Sequence, residues 1–384
     1  MSKKDGAPGD DLSADADDGT IKSMVTGDEE QTDEDKFASF PEALVCDNGT
    51  GFLKAGAACL EGPEVVMPLI TGEPRFRQVM CQSSDRVYVG EAARRMGSVL
   101  ALKNPMKNGQ IDDFEQMERI WFDAFYSQLQ VDTSCRPMLV SEPPLNSRAS
   151  REKVAAIMFE QFNLPALAIC TDAVLALYAH GRTTGLVIDC GHAISHTACV
   201  YNGSVLTSSA RRLMYGGDDV TRHLARLLMV ERGHRFESAS EMESVRAMKE
   251  ARGSVATEDA SDLDGAQPDD ESPEGAAEAY SLPDGQLVVP GAETRRCSEA
   301  LFHPHLLGID NPGLSEAALS SVLKCPEELQ DEMFGSVAVS GGPARAPGFR
   351  ERMQNDLRSM AAGRGKGVRL LPGLGRGDPG EAVW

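Results

Sequence analysis

The stretches ALVCDNGTGFLKAG (residues 43–56) and GLVIDCGHAISHTAC (residues 185–199) share one pattern. Each runs from an apolar strand through Asp, any residue and Gly into a tight polar turn, and a second strand follows. Taken alone, an Asp-x-Gly after a strand is usually only a hairpin turn. Because the unit occurs twice in one chain, it indicates two similar lobes that face each other across a cleft.

The paired turns carry the residue types that a nucleotide phosphate needs. Backbone amides reach a phosphate only where no side chain blocks them. The turns offer three such positions, Gly49, Gly51 and Gly191. Lys54 lies close enough across its hairpin to reach a phosphate oxygen, and Asp47 and Asp189 are placed to hold a hydrated Mg²⁺. Either aspartate alone is equally consistent with an ordinary turn carboxylate, so it is the repetition that favours a nucleotide site.

A third glycine element follows the strand at residues 336–340. Ser340-Gly341-Gly342 fits a backbone that approaches a planar ligand closely, although taken alone it is better explained as a plain strand-to-helix turn. The chain has no GxxxxGK[ST] motif, and no GxGxxG opens a helix after a strand. Both P-loop and dinucleotide-binding folds are therefore unsupported.

The negative charge of the chain is concentrated in two segments. The 384 residues carry a formal net charge of −21. Residues 1–40 contain twelve acidic residues and four lysines, and residues 254–279 contain nine acidic residues and no basic one. Their composition favours solvated, disordered segments over an acidic tail that binds a basic partner. Because the remaining chain is close to neutral, we expect no nucleic-acid binding.

Membrane and secretory classes are also excluded by the sequence. No apolar run approaches the ~18 residues that span a bilayer, and no apolar stretch follows the charged N-terminus. The nine cysteines are scattered and never form a CxxC pair, which argues against a disulfide framework or a zinc site. We therefore expect a soluble, intracellular chain with reduced thiols.

Short apolar runs alternate with amphipathic segments from residue 41 onward, which predicts mixed α/β layers. The predicted strands lie at 43–49, 136–144, 185–191 and 336–342. The predicted helices span Asp113–Gln128, Arg148–Phe162, Asp172–His180 and Asp218–Glu231.

A set of motifs in fixed order resembles actin and the actin-related proteins. The motifs are ALVCDNGTGFLKAG, VYVGEAARRMG, REKVAAIMFEQFNLPAL, AVLALYAHGRTTGLVIDCG, AYSLPDG, EALFHPHLLG and VSGG-x4-PGF. The resemblance covers nearly all of residues 41–384. It implies an α/β, two-lobed ribonuclease-H-like fold, shared with the heat-shock-chaperone ATPases, with a nucleotide cleft between the lobes.

The resemblance also implies a division of the chain. Residues 1–40 are expected to be a disordered acidic extension. Residues 41–180 correspond to the outer lobe, to which 373–384 return, and residues 181–372 to the inner lobe with a disordered acidic segment at 254–279. The chain stops at EAVW (381–384), where the family continues with a glycine pair and terminal helices. We therefore expect an incomplete outer lobe or a truncated product.

Site residues follow from the same resemblance, together with ATP and Mg²⁺ or Ca²⁺ as cofactors. The family's first phosphate hairpin corresponds to Asp47, Gly49, Thr50, Gly51 and Lys54, and the second to Asp189 and Gly191. The adenosine contacts correspond to Gly217, Lys249, Glu250, Gly341 and Gly342. Asp47 and Asp189 are expected to hold the metal through water, and the catalytic positions are Asp47, Asp172 and His196, the histidine lying near the attacking water.

Departures from the family pattern cluster around this site. Asp172 replaces a glutamine that helps to place the water, so water positioning should suffer. His192-Ala193 replaces Asp-Gly, and Ala193 would cost on the order of 1 kcal/mol if its φ had to be positive. Cys190 replaces a serine and should weaken one phosphate hydrogen bond, while Thr50 keeps the hydroxyl. Arg345-Ala346 replace Met-Tyr on the adenine wall. We therefore expect a slow ATPase at most.

These observations leave two main hypotheses for function. One is an actin-like cytoskeletal protein of the cytoplasm that binds ATP, hydrolyses it weakly or not at all, and joins filaments or filament-associated assemblies. Its partners would be actin or actin-like subunits and cytoskeletal or complex-forming proteins. The alternative is a degenerate actin-like scaffold without nucleotide turnover, or an actin-related subunit of a multiprotein complex.

Overall fold

Two mixed β-sheets, each built on one of the repeated hairpins, form the framework of the protein. The computed structural model describes residues 41–75, 87–258, 280–281, 285, 287–363 and 365–373. The strands are β1 (Leu44–Asn48), β2 (Phe52–Ala57), β3 (Val65–Pro68), β4 (Thr71–Pro74), β5 (Tyr88–Val89), β6 (Leu100–Lys103), β7 (Met106–Lys107), β8 (Gln110–Ile111), β9 (Met138–Glu142), β10 (Leu167–Thr171), β11 (Gly185–Cys190), β12 (Ser195–Tyr201), β13 (Ser204–Val205), β14 (Arg211–Leu213), β15 (Tyr280–Ser281), β16 (Leu287–Val288) and β17 (Val337–Ser340).

The two sheets repeat the same local topology. The first has the strand order β10-β9-β1-β2-β3, and the second has the order β13-β12-β11-β17, with β14 paired to β12. In the first, β1 runs antiparallel to β2 and parallel to β9, with Asp47 opposite Lys54. In the second, β11 runs antiparallel to β12 and parallel to β17, with Asp189 opposite His196. The predicted doubling of the strand–Asp–turn–strand unit is therefore present in the fold.

The helices pack on these sheets. They are α1 (Gly90–Arg95), α2 (Phe114–Phe122), α3 (Arg148–Glu160), α4 (Asp172–Ala179), α5 (Gly217–Arg232), α6 (Ala239–Arg252), α7 (Glu293–Arg296), α8 (Leu314–Leu323), α9 (Glu327–Gly335) and α10 (Phe349–Ala362). Their ends follow local chemistry. Ser147 caps α3 by accepting from the Ser150 amide, and Ser238 forms a capping box with Glu241 on α6.

The predicted helix Asp113–Gln128 differs from the structure in its second half. Asp113 caps α2, which ends at Phe122, and residues Asp123–Gln128 continue as a π-helix. A π-helix carries hydrogen bonds from residue i to residue i+5, and apolar periodicity does not distinguish such a short stretch from an α-helix.

Each sheet has a hydrophobic core of its own. The core under the first sheet contains Trp121, Phe125 and Phe162, and the ring centroids of the two phenylalanines lie 5.4 Å apart in a T-shaped contact. The Trp121 indole N–H donates to Oδ1 of Asn48 at 3.0 Å, which ties this core to the first hairpin. The core of the second sheet contains Tyr215, whose hydroxyl donates to the Pro312 carbonyl at 2.8 Å. Both hairpins therefore rest on well-packed layers.

The mixed α/β class is confirmed, whereas the division into outer and inner lobes stays a prediction. Three predictions concern residues that the structure does not describe. They are the acidic extension at 1–40, most of the acidic segment at 259–279, and nearly all of the returning C-terminus at 374–384. No helix among the described residues is both long and apolar enough to cross a lipid bilayer.

The first five residues of the acidic segment differ from the expectation of disorder. Val255 is buried, and its amide donates to the Pro347 carbonyl at 2.8 Å. Nη1 of the buried Arg352 donates to the carbonyl of Glu258 at 2.8 Å. Because both contacts join the backbone of this segment to distant elements, residues 254–258 are held in place although their composition is that of a solvated segment.

Candidate nucleotide site

The first hairpin fixes its aspartate with two partners. Nζ of Lys54 lies 3.1 Å from Oδ2 of Asp47, and the Ser141 hydroxyl on β9 donates to Oδ1 at 2.6 Å. The two side chains of the ion pair are 20% and 28% exposed, so both still face solvent. Lys54, which was predicted to bind a phosphate oxygen, is therefore paired with Asp47, which was predicted to hold the metal.

The second hairpin repeats part of this arrangement. The Ser340 hydroxyl on β17 donates to Oδ1 of Asp189 at 2.5 Å. The residue opposite Asp189 is His196 instead of a lysine, and its Nδ1 lies 3.7 Å from Oδ2 of the aspartate. Each hairpin aspartate is therefore held by a serine at the end of the parallel neighbouring strand and faces a basic side chain across the hairpin.

The turns of the two hairpins contact each other directly. The Ala193 amide donates to Oγ1 of Thr50 at 3.1 Å. The His192 ring packs on Gly51, where a Cβ atom would lie 2.5 Å from its Cγ, so this turn position requires glycine. The predicted phosphate-binding turns of the two halves are thus neighbours in space.

A buried histidine lies between carboxylates at the base of this site. His196 is 3% exposed, and its Nε2 lies 3.1 Å from Oδ1 of Asp172. Among the described residues, neither ring nitrogen of His196 nor Oδ1 of Asp172 has a hydrogen-bond partner of acceptable geometry. These orphaned polar atoms mark a place where a polar ligand or water would satisfy the site.

The charge state of this pair follows from its surroundings. Burial by itself lowers the pKa of His196, but the carboxylates of Asp172 and Asp189 outweigh it and raise the pKa to about 9. Burial raises the pKa of Asp172, His196 opposes the rise, and the charges of Asp189 and Asp47 add to it. Because both hairpin carboxylates act on Asp172, the three acidic groups share one region of the protein.

The predicted adenosine contacts lie beside the second hairpin. The Gly217 amide donates to the Gly191 carbonyl at 2.9 Å, and Nζ of Lys249 donates to the Gly217 carbonyl at 2.7 Å. Burial lowers the pKa of the Lys249 ammonium. Gly341 has a φ of +92° and lies against the Cys190 backbone, where a Cβ would be 2.0 Å from the carbonyl oxygen. Gly217, Lys249 and Gly341 therefore all lie next to the second hairpin.

Two predicted residues of this group stand apart in their contacts. Gly342 has no atom near the position of a Cβ, so its lack of a side chain is not required by the protein itself. The Glu250 carboxylate is 55% exposed and accepts from Nε of Arg246 at 2.9 Å. A role for Glu250 with a ligand therefore requires that it share or leave this ion pair.

Two expectations about the departures need correction. Ala193 does not have a positive φ, so the expected strain is absent. The Cys190 side chain is fully buried in the core, and the Ser195 hydroxyl donates to its Sγ at 3.4 Å. Burial raises the pKa of this thiol to about 12. Replacing serine by cysteine at this position therefore changes the packing beneath the turn, because the thiol occupies the core.

Sequence reasoning missed the residues that hold the site from other elements. Ser141 lies within the predicted strand 136–144, and Ser340 was named only as the first residue of the third glycine element, so neither serine was assigned to an aspartate. Arg212 was also missed, although its Nη2 donates to the Pro144 carbonyl at 2.8 Å and so joins β14 to the loop after β9.

The residues present fit a nucleotide phosphate with a hydrated cation. The turns at Gly49 and Gly191 leave no room for a Cβ, since it would lie 2.8 Å from the Phe52 carbonyl oxygen and 2.6 Å from that of Ile194. Among the described residues, no group of three or more His, Cys, Asp or Glu side chains is arranged to hold a metal ion directly. A cation here would therefore keep most of its water, which is how Mg²⁺ is usually bound with phosphates.

Comparison with known protein families agrees with the geometry. The family model described as Actin matches residues 40–372. The match includes both hairpins, the histidine–aspartate pair and all of the predicted adenosine contacts. It also covers far more than half of the chain. On this evidence the chain belongs to the actin family.

Proposed function

We propose that this protein binds ATP together with Mg²⁺ or Ca²⁺ between its two hairpin turns and acts as an actin-like cytoskeletal protein. The observation that carries the proposal is the direct contact of the turns, with the Ala193 amide 3.1 Å from Oγ1 of Thr50. Two turns of this kind, approaching from opposite sides, can present backbone amides to one triphosphate.

The charged residues support a division of roles. Lys54 would balance phosphate charge, and Asp47 and Asp189 would hold the cation through water, which requires that Lys54 share or leave Oδ2 of Asp47. The cation supplies further positive charge against the phosphates when it is bound. Gly217 and Lys249 would line the side of the nucleoside.

The Asp172–His196 pair supports slow hydrolysis. A histidine whose pKa is about 9 is protonated at neutral pH, so it cannot accept a proton from an attacking water. The Asp172 carboxylate lies 3.1 Å from this imidazolium and is paired with it, so Asp172 is not available as the base for the water either. We expect a single-turnover rate far below that of conventional actin.

Membership of the family supports a role in filaments or filament-associated assemblies of the cytoplasm and cytoskeleton. The partners would be actin, actin-like subunits, or cytoskeletal and complex-forming proteins. No single residue of this chain identifies the partner, so the proposal rests here on the family.

Isothermal titration with ATP and Mg²⁺ tests nucleotide binding, and sedimentation with and without ATP then tests assembly. Saturable binding that disappears in the absence of divalent cation supports the proposal. Absence of binding at millimolar ATP in a folded protein contradicts it. Single-turnover hydrolysis on the same preparation tests the rate, and a rate equal to that of actin contradicts the role given to Asp172 and His196.

A second candidate is an actin-like scaffold, or a subunit of a multiprotein complex, that does not use nucleotide. It is favoured because both lysines expected to contact the nucleotide already have partners within the protein. Lys54 is paired with Asp47, and Lys249 donates to the Gly217 carbonyl and to Thr221. The titration separates the two candidates, since the scaffold retains its protein partners without binding ATP.

A further inference from the structure

Two buried cysteines lie where the strand β12 (Ser195–Tyr201) meets the end of the helix α8 (Leu314–Leu323). Cys199 belongs to the strand and is fully buried, whereas Cys325 follows the helix and is 5% exposed. Neither cysteine is among the residues assigned to the nucleotide, the metal or the attacking water. The proposed function therefore leaves this pair without a role.

The packing of the helix on the strand brings the two thiols together. The hydroxyls of Thr197 and Ser321 lie 2.7 Å apart. Cys199 follows Thr197 by two residues, so both side chains leave the strand on the same face. Cys325 follows Ser321 by four residues, one helical turn further on, and its thiol donates to the Ser321 carbonyl at 3.6 Å. Each cysteine therefore lies next to the Thr197–Ser321 contact, on the side that faces the other element.

A third side chain marks the same place. The Ser209 hydroxyl accepts from the Cys199 amide at 2.9 Å and lies within hydrogen-bonding reach of both thiols. Since one small side chain reaches both sulfur atoms, the two sulfurs are close neighbours.

The contact between the thiols makes them unequal. Their mutual hydrogen bond raises the pKa of Cys199, and burial adds to the rise. The same hydrogen bond lowers the pKa of Cys325, although burial opposes the fall. Because the thiolate is the reactive form of cysteine, Cys325, which is also the more exposed of the two, is the thiol that reacts first.

We propose that Cys199 and Cys325 are a site of reversible oxidation, at which a hydroperoxide converts the two thiols to a disulfide that ties α8 to the sheet of the second hairpin. The proposal goes beyond the proposed function and does not depend on it, since the two thiols are adjacent whether or not the protein binds nucleotide.

The reaction balances with hydrogen peroxide as the only oxidant. The Cys325 thiolate attacks one peroxide oxygen, so that an S–O bond forms, the O–O bond breaks, and the departing hydroxide takes up the thiol proton as water. The Cys199 sulfur then attacks the Cys325 sulfur. An S–S bond forms, the S–O bond breaks, and a second hydroxide leaves as water with the Cys199 proton. Two thiols thus lose two electrons, and one peroxide is reduced to two waters.

The disulfide would change the stability of the protein. It joins residues that are distant in sequence, so it closes a long loop and restricts the unfolded chain. We expect the midpoint of thermal unfolding to rise by about 5 °C on oxidation and to return on reduction with dithiothreitol.

The test uses the full chain, reduced and then treated with hydrogen peroxide. The remaining thiols are blocked with N-ethylmaleimide, and the protein is digested without reduction and mapped by mass spectrometry. The expected product is a peptide pair joined through Cys199 and Cys325 that has lost two hydrogens and separates in dithiothreitol. Cys297→Ala is the matched control and should form the same product, because Cys297 is also fully buried but its thiol donates to the Thr294 carbonyl, at 3.2 Å.

Two variants separate the steps of the reaction. Cys199→Ala removes the second thiol, so a sulfenic acid should accumulate on Cys325, where dimedone captures it. In Cys325→Ala, Cys199 should remain a free thiol at the same dose of peroxide. Circular dichroism first establishes that each variant is folded. If a variant does not fold, the peptide map and the unfolding midpoint of the wild type, with and without dithiothreitol, still decide.

The peptide map gives a clear answer. A Cys199–Cys325 cross-link in the wild type and in Cys297→Ala supports the proposal. The proposal is overturned if Cys199 and Cys325 stay free while the exposed Cys59 and Cys135 are oxidised. It is also overturned if either thiol is found joined only to a different cysteine, or if dimedone labels Cys199 in Cys325→Ala as fast as it labels Cys325 in Cys199→Ala.

Discussion

The two hairpins share a backbone plan but differ in the charge that faces the aspartate. In the first, Asp47 is paired with the Lys54 ammonium at 3.1 Å. In the second, Asp189 faces His196, whose other nitrogen lies 3.1 Å from Asp172. In both, a serine from the parallel strand donates to the carboxylate.

The two copies of the hairpin therefore place different basic side chains opposite the same aspartate position. The first half sets a lysine against its aspartate, whereas the second sets a histidine whose charge depends on its neighbours and on pH. In each half, one serine hydroxyl donates to Oδ1 of the aspartate. Four predictions test this contrast, beginning with the largest expected effect.

Replacing Lys54 by alanine should abolish measurable nucleotide binding. The phosphates would then face an unpaired Asp47 without the lysine that balances both, a loss of about a hundredfold or more. Isothermal titration measures it. Lys103→Ala is the control, because Lys103 pairs with the surface residue Glu73 and is 51% exposed. Unchanged affinity in Lys54→Ala would show that the first hairpin does not supply the charge.

Gly341→Ala should lower the free energy of unfolding by about 2–3 kcal/mol, because the position has a positive φ and its Cβ would collide with the Cys190 carbonyl. The equivalent position beside the first hairpin is Glu142, whose side chain is paired with Arg151, so the two halves differ here. Urea denaturation measures the loss. Gly342→Ala is the control, with open space around its Cβ, and an equal loss in both variants would contradict the assignment.

The Asp172–His196 pair should make stability fall as pH rises. The folded-state pKa of His196 is about 9, above its ordinary value of 6.5, so its contribution is fully present below about pH 6.5 and is lost as pH rises through about 9. We expect the unfolding free energy to fall by about 3 kcal/mol over this range, since one pKa unit corresponds to about 1.4 kcal/mol. In Asp172→Asn the fall should be smaller, because the largest source of the shift is removed.

The two proteins are compared by urea denaturation at several pH values. Other groups that titrate in the same range, the cysteines among them, contribute equally to both and cancel in the difference. Parallel pH profiles of the wild type and Asp172→Asn would show that His196 does not carry the proton.

Ser141→Ala and Ser340→Ala should each lower the free energy of unfolding by about 1 kcal/mol, the usual contribution of one hydrogen bond to a partly exposed carboxylate. Chemical denaturation of the two variants side by side measures this. The comparison of the hairpins predicts losses of similar size. A loss confined to one variant would show that the two aspartates are held by different means.

The hairpins, the strands that carry them and four of the ten described α-helices could be predicted from sequence, because each is a local pattern of apolar residues, Asp, Gly and turn residues. The serines that hold the aspartates could not. Ser141 and Asp47 are 94 residues apart, and Ser340 and Asp189 are 151 apart, so they meet only through parallel strand pairing. A local pattern does not name such a partner.

The errors near the second turn have the same origin. The cost expected at Ala193 depended on its φ, and the role expected for Cys190 depended on the direction of its side chain. Both are set by the packing of β11 and β12 against neighbouring elements. The residue type alone therefore identified the positions but not the consequence of changing them.

The π-helix Asp123–Gln128 places two consecutive aromatic residues on one partner. Phe125 meets Phe162 edge-on, while Tyr126 stacks on the same ring with centroids 6.1 Å apart and an angle of 21°. The wider turn of a π-helix is equivalent to one inserted residue. Deleting a single amino acid between Asp123 and Gln128 would therefore convert this stretch into an ordinary α-helical turn. The helix would continue, and the stability lost would be that of the contacts among Phe125, Tyr126 and Phe162.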